Sequence, residues 1–181
     1  MITYDQKILG PNGCTYVAIV TNLSNLYNIK LSLNELKGGY DYVGLDGGGS
    51  LASRMVNKVV EWWEKKFNKK VTAKMYTIQN ALERAKNGKM IYIGFRWDIG
   101  MYMDTQDNGR IDRVPPKGPK EGGHSCNMIR NGSDYIIIDN YSDRKYKEYE
   151  VSEEIMDGLI KNNIMRLTTF IFFKGRIIGL K

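Results

Sequence analysis

Apolar residues recur at helical spacing through the first part of the chain and then give way to short, strand-sized runs. Tyr16, Val20, Leu23 and Tyr27 keep that spacing and predict a helix that opens at Gly13-Cys14 and ends near Tyr27. Leu31-Ser32-Leu33-Asn34-Glu35-Leu36 reads as a short helical turn. A glycine-rich loop is expected after it, through Gly38-Gly39 and Gly44-Leu45-Asp46-Gly47-Gly48-Gly49. Ser50 can cap the next helix, whose Leu51, Met55, Val59, Trp63 and Phe67 fall close to one face. Trp62 and Trp63 read as packing residues rather than a ligand platform. Residues 71–76 read as a strand and 77–87 as a helix ended by Gly88.

From Lys89 the pattern is one of strands, predicted over 90–96, 123–130, 134–140 and 145–151. Asn131-Gly132 is a hairpin signal between the second and third of these. Ser152 caps a short helix, with Glu153 and Glu154 at its positive end, and strands over 165–173 and 176–180 follow. Helices first and an antiparallel sheet second predict an α+β fold of two lobes, helical over 1–88 and β over 89–181. Between them, residues 97–122 form a long Gly-, Asp- and Pro-rich connection expected to overhang the region of His124. Asp104, Asp107, Asn108 and Asp112 do not fit a calcium loop, since Gln106 and Pro115 stand at the third and twelfth places. An ordinary turn at Asp107-Asn108-Gly109 is expected there.

Hydrophobic residues make up 42% of the chain and are nowhere gathered into a membrane-length run, so a soluble globular domain is expected. The first residues lack the apolar core of a signal peptide, and only two cysteines occur, Cys14 and Cys126. Both features suit a cytoplasmic or virus-encoded intracellular protein with free thiols. The net charge of +7 is concentrated in 65–70 and 113–120, which reads as a solvated face, with nucleic acid as the disfavoured partner.

His124 is the sole histidine, so any imidazole proton shuttle must use it. Cys14, in the first turn of the first helix, is placed where the helix dipole favours a thiolate. A neighbouring imidazolium would stabilise that thiolate further, and a third group must orient the ring. Asn140 is the expected orienter, reached by folding the chain back at Asn131-Gly132, with Asp139 as its competitor because neighbouring strand residues face opposite sides. Gln6 is either an oxyanion donor beside the Cys14 N–H or a surface glutamine in an N-terminal loop. Cys126 reads as core, so neither a zinc site nor a Cys14–Cys126 disulfide is favoured.

Four ordered elements resemble the papain-like cysteine peptidases over most of the chain. Asp5-Gln6 with Gly13-Cys14 resembles that family's glutamine loop and nucleophile. Leu31-Ser32 with Leu36, then Gly44-Leu45-Asp46-Gly47-Gly48, is similar to its Leu-Ser segment and glycine loop. Gly123-His124-Ser125 and Ile136-Ile137-Ile138-Asp139-Asn140 resemble its histidine and asparagine strands. The resemblance implies a papain-like two-lobed α+β fold, with the cleft between a helical lobe and a β-barrel-like lobe. It also implies a Cys14-His124-Asn140 triad with Gln6, and an extended polypeptide substrate held along Gly47, Gly48 and Gly123. No cofactor or metal is implied. Departures are the eight-residue step from Gln6 to Cys14, Leu45 in place of a disulfide cysteine, and Thr15 and Ser142 in place of tryptophans. The expected activity is thiol-dependent hydrolysis of peptide or isopeptide bonds. A catalytically silent peptide-binding module and a cell-wall peptide amidase are the alternatives.

Overall fold

The computed structural model describes residues 1–10, 13–44, 52–117, 123–140, 145–166 and 168–175. A 3-10 turn, Gln6–Leu9, comes first, capped by the Asp5 carboxylate, which accepts from the Lys7 N–H at 2.9 Å. Helix α1, Cys14–Tyr27, is buried on every side from Tyr16 to Ser24, which makes it a central helix rather than a surface one. Helix α2, Leu33–Val43, runs straight through Gly38 and Gly39, where loop was expected. It starts on a capping box, in which Ser32 Oγ accepts from the Glu35 N–H at 3.1 Å and Glu35 Oε1 from the Ser32 N–H at 3.0 Å. Gly39 is a contact residue, since a β-carbon there would lie 2.8 Å from the Trp62 ring and would also strike the Tyr16 hydroxyl. Helix α3, Ala52–Phe67, brings Trp62 and Trp63 into the same core. The proposed cap Ser50 lies outside the described residues, as do 176–180.

Among the described residues six strands form one open antiparallel sheet. They are β1 (Val71–Thr77), β2 (Ile91–Phe95), β3 (His124–Asn131), β4 (Asp134–Ile138), β5 (Glu148–Val151) and β6 (Thr168–Lys174), in the order β1-β6-β2-β3-β4-β5. The sheet is thus not barrel-like. One buried cluster joins α1, α2 and α3 to Tyr92, Phe170 and Phe172. A second lies among α4 (Ile78–Ala85), α5 (Ile99–Tyr102), α6 (Glu153–Lys161) and residues of β2 to β6. β1, which precedes residue 88, thus belongs to the same sheet as the strands that follow it. β1 pairs with β6 from Val71↔Lys174 to Thr77↔Thr168, and the apolar face of α4 needs the second cluster to cover it.

The long connection does not simply overhang the site. Its first part adds to β5, with Ile111 N–H donating to Glu150 O at 2.8 Å and Glu150 N–H to Gly109 O at 3.0 Å. Asp104 takes the N–H groups of Asn108 and Gly109 at 3.1 and 2.8 Å, and Asp107 and Gly109 have φ of 50° and 77°. These aspartates therefore build an ordinary turn. Among the described residues no helix is long and apolar enough to cross a membrane.

Candidate active site

Cys14 is the first residue of α1 and follows Gly13, which caps the helix with no side-chain hydrogen bond. What brings this helix start to His124 is a polar junction between α1 and β3. Asn22 Nδ2 donates to Asn127 Oδ1 at 3.0 Å, and Asn127 Nδ2 donates to Ala18 O at 2.8 Å. Nearer the cysteine, Ser125 Oγ lies 3.1 Å from Thr15 Oγ1 and 2.7 Å from the Tyr92 hydroxyl. Thr15, Ala18 and Asn22, one residue, one turn and two turns beyond Cys14, are thus each bonded to the histidine strand. The register of helix against strand is thereby set by buried hydrogen bonds, which tolerate little sliding.

Burial pushes the Cys14 thiol up, but the hydrogen bond and charge of His124, the Ser125 N–H and the Thr15 hydroxyl outweigh it and bring the thiol from 9.0 to about 7. His124 Nε2 lies 2.7 Å from Asp139 Oδ1, and Asp139 is 2% exposed. Burial alone would lower the imidazole. Cys126 beside it, the Asp139 carboxylate and Cys14 more than offset this and hold it well above 6.5. A thiol poised to ionise thus meets an imidazole that tends to keep its proton, with a carboxylate on Nε2. The Tyr40 hydroxyl, half-buried on α2, is pushed up by burial, by Asp41 and by the charge of Cys14.

Asp139, rather than Asn140, is the residue on the imidazole. The hairpin turn is Gly132-Ser133, with Gly132 at φ 63° and Asn131 opposite Asp134. A two-residue turn pairs even-numbered residues of β3 with odd-numbered ones of β4, as in Met128↔Ile137. Continued, that register puts Asp139 across from Cys126, on the His124 face, and Asn140 across from Ser125. The turn length was the signal in the sequence that distinguished the two. Asn140 instead clasps the N-terminus, its Nδ2 donating to Tyr4 O at 2.9 Å and its carbonyl accepting the Gln6 N–H at 2.9 Å.

Gln6 is 2% exposed, not a surface residue, and its side chain lies close to Gly13, where a β-carbon would be 3.6 Å from Gln6 Cγ. Gly123 is exposed immediately before His124. Gly47 and Gly48 lie outside the described residues, as do Leu45 and Ser142. His124, Cys126 and Asp139 each offer a ligand-type atom within 4.8 Å of the others, the one such group among the described residues. The 2.7 Å bond already engages Nε2 and Oδ1, and burial pushes the Cys126 thiol up to about 11, so this trio is poorly suited to a metal. Both cysteines are free thiols.

No protein-family model matches the sequence, and no curated protein does. The structure is similar to that of xylellain, a cysteine protease from Xylella fastidiosa, with a TM-score of 0.56 and 14% identity over 97% of this chain and 84% of that one. At that identity the likeness concerns the fold, which is the α+β fold of a cysteine protease.

Proposed function

We propose that this protein is a papain-like thiol peptidase that hydrolyses peptide or isopeptide bonds through Cys14, His124 and Asp139. The observation that carries the reading is the chain of contacts from a thiol brought to about 7, through His124, to a buried carboxylate 2.7 Å from the imidazole. Cys14 as thiolate attacks the carbonyl carbon, and the imidazolium gives its proton to the leaving amine as the acyl-enzyme forms. Neutral His124 then takes a proton from water, whose oxygen attacks the thioester and frees the acid, with sulfur leaving as thiolate beside the imidazolium. Asp139 holds the ring and stabilises its charge. The Cys14 N–H and the Gln6 amide, close to Gly13, are the donors proposed for the oxyanion.

Digestion of a denatured proteome tests this. New peptide termini are expected with the native protein and none with Cys14→Ala, and iodoacetamide should label Cys14 in a manner dependent on His124. Labelling at Cys14 indifferent to His124→Ala, together with no new termini, would overturn the reading.

A further inference from the structure

Beside this site lies a cation the proposed mechanism does not use. Residues 164–166 add to β2 on the side away from β3, with Arg166 N–H donating to Gly94 O at 2.9 Å and Met165 bridging Phe95. Because Phe95 also pairs with His124 and Gly94 with Ser125, a row of cross-strand neighbours runs from Arg166 through Gly94 to Ser125. Cross-strand neighbours share a face, and Ser125 Oγ meets Thr15 of α1, so this row lies on the nucleophile's side of the sheet.

Glycine at two positions lets the arginine reach across. A β-carbon on Gly94 would lie 2.9 Å from Arg166 Cδ, and one on Gly123 would collide with Arg166 Nη2. The stem therefore rests on Gly94 and the guanidinium on Gly123, the residue next to His124. Arg166 is exposed, and among the described residues its guanidinium has no carboxylate partner, whereas Arg110 is bonded to both Glu150 and Asp134. Its charge reaches the Tyr92 hydroxyl, which is itself 2.7 Å from Ser125 Oγ.

We infer that Arg166 is a specificity residue that recognises a substrate carboxylate within about two residues of the cleaved bond, since an extended peptide advances about 3.3 Å per residue. The inference rests on the peptidase reading above. The carboxylate can come from an Asp or Glu side chain or from a substrate's free C-terminus, and both present the same fork-shaped acceptor to a guanidinium.

The test compares internally quenched peptides that differ only by Glu or Gln at each of the positions flanking the cleaved bond, each made with a free and an amidated C-terminus. With the native protein kcat/KM should favour Glu at one of these positions by about five- to tenfold at low salt, and less at 0.5 M salt, as an exposed ion pair would. A preference that follows only the free C-terminus assigns the terminal carboxylate as the ligand. Arg166→Glu should reverse the order and favour Lys at the same position, a gain that a misfolded variant cannot show. Equal cleavage of Glu, Gln and Lys peptides in both C-terminal forms would overturn the role of Arg166 and leave the peptidase standing. Absence of any cleavage that depends on Cys14 would overturn both.

Discussion

Along β3, Ser125 and Asn127 turn polar side chains to α1, whereas Cys126 and Met128 are sunk in the apolar cluster on the other side of the sheet. Asn127 is fully buried, yet it both accepts from Asn22 and donates to Ala18, so its desolvation is compensated on both ends of the amide. The apolar face gains its free energy from area removed from water and does not care about small displacements. The polar face gains little net energy but has one register in which its bonds are made. Stability is thus concentrated on one face of the strand and alignment of Cys14 with His124 on the other.

The largest effects should come from the groups this alignment serves. Cys14→Ala should lower peptide hydrolysis by about 10⁴-fold or more, with melting temperature little changed. Asp139→Asn should cost about 10² to 10⁴ in kcat, because an amide can leave the imidazole in the wrong tautomer. Asn140→Ala should act on the clasp to Tyr4 and cost stability, about 1 kcal/mol, before it touches kcat. The reverse pattern, with Asn140→Ala inactive and Asp139→Asn near native, would restore Asn140 as the orienter and sink the assignment made from the 2.7 Å contact.

Substitutions on the two faces of β3 sharpen the contrast at the next level. Asn127→Ala removes a buried amide and strands Asn22, at a cost of about 2 kcal/mol, and it should lower kcat in the fraction that remains folded. Met128→Ala opens a cavity on the opposite face and should cost about 2 to 5 kcal/mol, with kcat unchanged below its melting transition. Chemical denaturation paired with turnover, measured on both variants, separates the two effects. Equal loss of kcat per kcal/mol of stability in both would show that the polar junction has no special role in alignment.

How much of this is legible in the sequence depends on whether the determining contact is local. The helix at Cys14 and the strand before the hairpin carry their own periodicity and turn residues, and the strand and its turn fall one residue later than expected, the turn at Gly132-Ser133 rather than Asn131-Gly132. Asp139 was legible too, by the parity that a two-residue turn imposes, although the separation from His124 alone pointed to its neighbour. The run through Gly38 and Gly39 was not, because glycine argues for loop until Tyr16 and Trp62 are known to lie against it. Thr15 and Ser125 are 110 residues apart, and no spacing rule joins them. Arg166 was equally hidden, since its path depends on the side chains missing at Gly94 and Gly123.

The two thiols offer the smallest and most exacting test of the same contrast. Cys14 stands at the junction, brought to about 7 because His124 outweighs burial, while Cys126 is fully buried and pushed up to about 11. Alkylation of Cys14 should therefore rise with pH around a midpoint near 7 and then level off, and Cys126 should stay unlabelled until the chain unfolds. In His124→Ala only burial, the Ser125 N–H and Thr15 remain, so the midpoint should move upward. Turnover should behave differently from alkylation above neutrality. It needs the thiolate and the proton on His124 together, so it rises as Cys14 ionises and falls again as pH passes the raised value of the imidazole. A thiol that alkylates with its midpoint near 9 in the native protein, or a Cys126 that labels as fast as Cys14, would mean that burial rather than His124 governs this end of the strand.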